Sequence, residues 1–309
     1  MIYLREEIDC GNNPYLEGEF SSRNHPYPVG GFSSTLKDLE PLVEMVTLTL
    51  YTAYIKNVSK PNSLLIIAKP ESGKTEVLKK FIPNKNIAYL SDVTGYGIER
   101  DYLPKIETGD IRHIIIPDLL KPLSRKESTV KAFVTSMNAL MEEGFASAST
   151  YATRRTTDKP AKCGLVTAIT GEELRDQRHN WGRLGFLSRI VPFSYKYGIE
   201  TVKRVFDSIL GLDFLQEPDI ELRIPKEEKK ITLPRRYARA ILPSTTAIAQ
   251  AQETYGFRLQ KQFQALLQAS ALEKGRRSVN SRDVDRLLPL MNWVNFDEKP
   301  MTPVRRRSK

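Results

Sequence analysis

The stretch Ile66-Ile67-Ala68-Lys69-Pro70-Glu71-Ser72-Gly73-Lys74-Thr75 (IIAKPESGKT) decides how this chain is read. It ends the continuous apolar run Ser63 to Ala68, the pattern of a strand buried on both faces of a parallel sheet. It also fits the phosphate-binding pattern G-x-x-x-x-G-K-[ST], with Ala68 in place of the first glycine. Glycines in such a loop let backbone N–H groups converge on phosphate oxygens without interference from a Cβ. Gly73 is kept beside Lys74, where the approach is closest. Ala68 ends the strand, where a methyl group is tolerated if φ stays negative. Ala68, Lys69, Pro70, Glu71, Ser72 and Gly73 are therefore expected to wrap phosphates. Lys74 is expected to pair with the β- and γ-phosphates of ATP, and the Thr75 hydroxyl to ligate Mg2+. A helix from Thr75 to Phe81 would present its N-terminus to the same phosphates. A bare G-K-T also occurs at ordinary surface turns; apolar strand, loop and helix in the required order distinguish the two.

Outward from this loop the pattern alternates. Asn86 to Leu90, Arg112 to Ile116, Leu165 to Thr170 and Arg189 to Tyr195 read as further strands. Helices are expected over Leu36 to Ile55 and Ser128 to Glu143. The alternation predicts an α/β fold with helices on both faces of a mainly parallel sheet. After about residue 200 the texture changes. Glu200 to Leu210 reads as an amphipathic helix stopped by Gly211, and residues 219–233 as two short strands around a charged turn. Helices follow at Ser244 to Tyr255, at Phe257 to Lys274, and from near Ser281. The expected organisation is an extended arm (1–40), an α/β core (41–198), a smaller, mainly helical domain with a small β insertion (199–300), and a basic tail (301–309).

Composition bounds the function. The 309 residues suffice for two medium domains, or one large domain with a smaller attachment. A hydrophobic fraction of 40% and a charged fraction of 27% are those of a soluble globular chain. No apolar run approaches the roughly 18 residues that cross a bilayer, and Met1 to Phe20 lacks the pattern of a signal peptide. Two cysteines, Cys10 and Cys163, argue against a disulfide scaffold and fit a reducing, cytoplasmic compartment. His25, His113 and His179 have no ligand-like spacing. The net charge of +10 permits an acidic partner such as nucleic acid, but a solvated basic surface explains it equally well, so location must decide.

A second signal lies downstream. His113-Ile114-Ile115-Ile116-Pro117-Asp118 is an apolar strand ending in an acid, placed to hold Mg2+ through water. With these two motifs the chain resembles the AAA+ ATPases, and within them the group containing the MCM replicative helicases, over about residues 34–295. In that group the acid is followed by a helix, a short strand, a basic hairpin and a strand carrying a polar sensor. The run STVKAFVTSMNALMEEGFASASTYATRRTTDKPAKCGLVTAIT has that order, with the hairpin over Tyr151 to Cys163 and Thr170 as the sensor of the γ-phosphate or attacking water. GFLSRIVPF resembles the segment whose arginine reaches the neighbouring subunit's nucleotide, which assigns that role to Arg189, with Arg183 as a second candidate. The helices after residue 199 would be the lid, with Arg258 or Lys261 reaching the γ-phosphate; their spacing does not choose between them. SVNSRDVDRLL at 278–288 resembles the final lid segment.

The resemblance implies a P-loop NTPase core, ATP and Mg2+ as ligands, and a homo-oligomeric ring or spiral, commonly a hexamer. Two departures stand out. Leu119 occupies the place of the glutamate that polarises water in most AAA+ enzymes, leaving Glu172 and Glu173 as the nearest acids in sequence order. The large DNA-binding N-terminal domain of the MCM group has no counterpart in the first 40 residues.

Arg154, Arg155, Lys159 and Lys162 fall on the hairpin that points into the ring pore in that group, where they would contact DNA phosphates. Gatekeeping charge on an exposed hairpin is the alternative. Thr94 to Arg100 (TGYGIER) occupies the region of a second pore loop, where Tyr96 could stack on a base, or forms a simple turn. The functional expectation is a minimal MCM-like helicase or translocase acting on DNA. An ATP-dependent assembly switch, of the helicase-loader or transposition-regulator type, is the alternative that Leu119 favours. A protein remodeller would need an aromatic pore loop that Tyr96 only partly supplies.

Overall fold

The computed structural model describes residues 39–149, 154–211 and 218–297. The arm expected over residues 1–40 lies outside the described residues except at its end, and so does the basic tail.

Seven strands are described: β1 (Leu64–Ile67), β2 (Ile87–Tyr89), β3 (His113–Ile116), β4 (Phe145–Ser149), β5 (Arg154–Ala161), β6 (Gly164–Ile169) and β7 (Val191–Ser194). Five form a parallel sheet in the order β2-β3-β6-β1-β7, while β4 and β5 pair separately as an antiparallel hairpin. The fold is α/β, and the reason is visible in the side chains. Leu64 and Ile66 enter one apolar cluster and Leu65 and Ile67 the other, so every residue of β1 is buried. Such a strand cannot face water, and helices must cover both sides.

The helices of the first half are α1 (Glu40–Tyr51), α2 (Lys74–Lys79), α3 (Gly95–Gly97), α4 (Leu103–Glu107), α5 (Leu120–Leu123), α6 (Glu127–Met141) and α7 (Gly171–Arg183). Those of the second half are α8 (Ile199–Leu210), α9 (Arg235–Ala240), α10 (Leu242–Ala251), α11 (Phe257–Glu273) and α12 (Ser281–Met291). On one face of the sheet, α1, α2, α11 and α12 share the cluster built on Leu64 and Ile66. On the other, α4, α6 and α7 pack over Leu65, Ile67, Ile114 and Ile116. Arg286 of α12 is clamped between Glu44 of α1 and Glu273 of α11, which fixes these three helices to one another.

Two expectations are corrected. Residues 219–233 form no strand pair. They run as an extended strap whose backbone bonds go to a different neighbour at each step: Asn84 to Leu222, Lys229 to Tyr54, and Thr232 to Arg277 and Val279. A hairpin needs its two arms to pair with each other, and here the surrounding elements take those bonds first. Thr94 to Arg100, expected as a second pore loop or a simple turn, instead caps and enters a short helical segment over Gly95 to Tyr102. The Thr94 side chain accepts from the Gly97 amide and starts α3. Gly95 lies so close to α6 that a Cβ would stand 2.9 Å from the Ala132 carbonyl carbon.

His113 illustrates how tightly the sheet is packed. Its ring is buried beneath Gly164, where an added Cβ would lie 2.3 Å from Nε2, and Nε2 lies 3.2 Å from the Asn62 carbonyl oxygen. Burial pushes its pKa down to about 4. The unfolded chain titrates near 6.5 and takes up a proton that the folded state refuses. The contribution of His113 to stability is therefore complete above about pH 6.5 and lost as pH falls towards 4. Denaturant unfolding should show a loss of about 2 kcal/mol from this group between pH 7 and pH 5. An equal loss in His113→Gln would show that the imidazole is not its source.

Candidate functional site

The Ala68–Thr75 segment leaves the sheet at the C-terminal end of β1. Its shape comes from two left-handed residues, Glu71 (φ 60°) and Gly73 (φ 80°), flanking Ser72. Left-handed residues alternating with ordinary ones turn successive amides into one concavity that suits an anion. Only Gly73 adopts this conformation without a Cβ penalty, so Glu71 holds mild strain that the surrounding bonds must offset. Those bonds are present. The Lys74 ammonium donates to the carbonyls of Ala68 and Lys69, both at 2.6 Å, and the Ser72 hydroxyl donates to Lys69 at 2.7 Å. The loop thus wraps around its own cation.

The sequence did not reveal what anchors the loop from outside. Tyr195 and Tyr197, just past β7, both donate from their hydroxyls to the Ser72 carbonyl at 2.7 Å. Their spacing of two, at the end of a strand adjacent to β1, places both on one side of the chain. That was the available signal. Removing both hydroxyls (Tyr195→Phe with Tyr197→Phe) leaves the Ser72 carbonyl without these donors and frees the loop. The expected result is a fall in nucleotide affinity of about tenfold, at roughly 1 kcal/mol per bond and partial water replacement, together with a melting temperature lowered by a few degrees because the same bonds also hold the unliganded fold. Titration with a fluorescent nucleotide checks it.

Strand order sets what stands beside the loop. β6 lies between β1 and β3, with Ile67 opposite Ile169 and Ile116 opposite Thr167. Thr170 and Asp118 therefore emerge at the same edge as the loop, with Asp118 two strand spacings, roughly 10 Å, from β1. Asp118 is half-buried, and one carboxylate oxygen accepts from the Leu120 amide at 3.1 Å. Thr170 is the N-cap of α7: its Oγ1 accepts from the Glu173 amide at 3.3 Å, and the Glu173 carboxylate accepts from the Thr170 amide at 3.0 Å. This reciprocal cap commits the Glu173 carboxylate to a helix start. Glu172 is exposed, with its carboxylate 4.0 Å from Arg175. Leu119 is fully buried in the apolar cluster under α6, with its amide bonded to the Ala168 carbonyl. Its side chain is part of the apolar packing against the sheet.

Arg189, Arg183, Arg258 and Lys261 lie elsewhere. Arg189 and Ser188 precede β7, at the N-terminal end of the strands and away from the loop. The Arg189 guanidinium donates to the Gly185 carbonyl, and its Nε lies 3.9 Å from Glu142. Arg258, on the first turn of α11, donates to the Ser188 hydroxyl at 2.8 Å and stands 3.7 Å from the same glutamate. Lys60 bonds Glu142 directly. Burial opposes ionisation of Glu142, but the bond and charge of Lys60 together with Arg258 and Arg189 outweigh it and hold its carboxyl below the usual range. One carboxylate thus gathers three cations from three elements. Neither Lys60 nor Glu142 was singled out from sequence, because nothing local marks residues that meet only in three dimensions. Arg183 and Lys261 are exposed.

The hairpin is longer than expected and starts earlier: Ser149 faces Arg154 and Ala148 faces Arg155, so Phe145–Ser149 forms its first arm. Residues 150–153, including Tyr151, lie outside the described residues, as do the side chains of Arg154, Arg155 and Lys159. Lys162 sits at the base, where its ammonium donates to the Ser59 carbonyl at 3.0 Å, away from any tip. Tyr96 is half-exposed on α3, with the Arg100 guanidinium 5.6 Å from its ring centroid.

No family model matches the chain, and no curated protein matches it. Among the described residues, no helix is long and apolar enough to cross a membrane, and no group of three or more His, Cys, Asp or Glu side chains is placed to hold a metal. Thr75 and Asp118 are instead hard oxygen donors of the kind that complete a shell made mostly of phosphate and water, which is how Mg2+ is commonly held.

Proposed function

We propose that this protein is a P-loop NTPase of the AAA+ type, that it binds ATP with Mg2+ between adjacent copies, and that it acts on DNA as a minimal MCM-like translocase. The observation that carries the reading is the strand order. With β6 between β1 and β3, the Lys74 loop, Thr170 and Asp118 stand side by side at one edge of the sheet. Arg189 and Arg258 stand at the opposite end of the strands, where on this reading a second copy would bring its nucleotide. Backbone amides of the loop and the Lys74 ammonium would hold the phosphates, and Thr170 would orient the γ-phosphate or the attacking water. Mg2+ held at Thr75 and Asp118 would neutralise phosphate charge.

One observation favours a second reading, an ATP-dependent assembly switch with little turnover. Leu119 is core, and Glu173 is engaged in capping α7, so neither can serve as the base beside Asp118. Steady-state ATP hydrolysis with and without single-stranded DNA separates the two. DNA-stimulated turnover supports the translocase, whereas ATP-dependent oligomers with negligible turnover leave the switch. The hairpin is tested on its own. Arg154→Ala with Arg155→Ala should weaken single-stranded DNA binding at low salt and reduce the log–log salt slope by about 1.4, the share of two phosphate contacts. An unchanged slope removes the hairpin from the DNA interface.

A further inference from the structure

The turn between α10 and α11 carries two aromatic rings into water. Tyr255 (91% exposed) and Phe257 (74% exposed) stack on each other, with centroids 5.8 Å apart and planes 10° from parallel. The turn that presents them is tied down. The Thr254 amide donates to the Ala249 carbonyl at 2.9 Å, and the Gln260 amide to the Gly256 carbonyl at 2.8 Å. Gly256 is left-handed (φ 74°), and a Cβ there would stand 2.7 Å from the Ala249 methyl. The two rings thus spend one face on each other and hold their outer faces open to solvent.

The surroundings are basic. From Pro234 to Lys261 the chain sets Arg235, Arg236, Arg239, Arg258 and Lys261 against a single acid, Glu253. All of these cations are exposed. The Gln260 side chain donates to the Ala238 carbonyl at 3.0 Å, which sets α9 against the first turn of α11. At about 100° per residue, Gln260, Phe257, Lys261 and Arg258 follow one another in that order around α11. Phe257 and Lys261 therefore lie between the cations of α9 and Arg258. Arg258 is engaged by Ser188 and Glu142, whereas Arg235, Arg239 and Lys261 meet no acid among the described residues.

We infer that the Tyr255–Phe257 stack is a platform for unpaired bases of single-stranded DNA, with Arg235, Arg239 and Lys261 holding the phosphates beside it. Every base has a π face and every nucleotide a phosphate, so exposed rings flanked by cations match both halves of a nucleotide. A base laid on the outer face extends a stack that already exists, and little side-chain freedom is lost. A purely apolar partner would desolvate the cations without pairing them, which a phosphate backbone does not. The platform stands on the α9 side of Arg258, on the helices that follow residue 199, and is separate in sequence from the β4–β5 hairpin. The inference rests on the reading that this protein acts on DNA, and the experiment separates the two.

Fluorescence anisotropy at low salt, without ATP, compares oligo-dT with an abasic deoxyribose-phosphate oligomer of the same length. Tyr255→Ala with Phe257→Ala should weaken oligo-dT binding by about tenfold, within the range of one stacked base, and leave binding of the abasic oligomer unchanged. Tyr255→Phe, which keeps both rings, should bind oligo-dT as wild type does. Arg235→Ala with Arg239→Ala should reduce the log–log salt slope by about 1.4 on both oligomers, since phosphates are common to the two. All four positions are exposed, so circular dichroism melts should be unchanged. Equal losses on the two oligomers, or an aromatic variant that binds oligo-dT like wild type, would overturn the platform. If the aromatic variant binds like wild type while Arg154→Ala with Arg155→Ala loses affinity, the platform alone fails and the DNA reading stands. Wild type that binds neither oligomer overturns the DNA reading, and the platform with it.

Discussion

Lys74→Ala is expected to weaken ATP binding by roughly 150-fold, about 3 kcal/mol, the upper range for a hydrogen bond to a charged group in a partly desolvated site. The ammonium is already at the mouth of the loop, where it bonds the Ala68 and Lys69 carbonyls. Phosphate oxygens entering the concavity would meet a cation in place, with little side-chain ordering left to offset. The fold should survive the substitution, because the apolar clusters on both faces of the sheet do not include Lys74. Calorimetric titration with ATP and Mg2+, paired with a thermal melt, reads both effects. A dissociation constant within threefold of wild type would mean that this loop is not the phosphate site.

Arg189→Ala is expected to lower ATP turnover by about a thousandfold, the lower bound for an arginine that stabilises charge in phosphoryl transfer, while binding changes far less. On the proposed reading this would be a trans effect. Arg189 precedes β7 and the loop sits at the other end of the sheet, so the guanidinium cannot reach phosphates held by its own copy. Its guanidinium donates to the Gly185 carbonyl and its Nε faces Glu142, contacts it would have to give up to reach a phosphate. The decisive form of the experiment mixes two inactive proteins, Lys74→Ala and Arg189→Ala, in equal amounts. Random assembly pairs an intact loop with an intact arginine at about a quarter of the contacts, so about a quarter of wild-type turnover should return. A mixture as inactive as its components would place Arg189 outside the site.

Much of the fold was legible before the structure. The strands around Leu64, Ile114 and Val166 announced themselves as apolar runs, because a strand buried on both faces has no polar alternate. α11 could be placed from Phe257 onward because its periodicity and the following Gly275 mark both ends. The strap over residues 219–233 was misread for the same reason in reverse: alternating Ile220, Leu222 and Ile224 look like a strand whether the partner is a neighbouring arm or a series of unrelated groups. Local pattern reports which face is buried and says nothing of who donates the bonds.

The candidate site divides along the same line. The identities of Lys74, Thr75 and Asp118 were readable because each belongs to a short contiguous motif whose chemistry depends on neighbours in sequence. Tyr195 and Tyr197 on the Ser72 carbonyl, and Lys60 with Glu142 beside Arg189 and Arg258, were not. The amino-acid sequence by itself determined the apolar strands, the loop between β1 and α2 and the acid that ends β3, since these follow from side-chain periodicity and local backbone preference. The tertiary structure alone decided the strand order that seats Thr170 between that loop and Asp118, the burial of Leu119, and the sending of Arg189 and Arg258 to the far edge. Each of those depends on contacts between residues tens of positions apart, which only the closed sheet and its covering helices bring together.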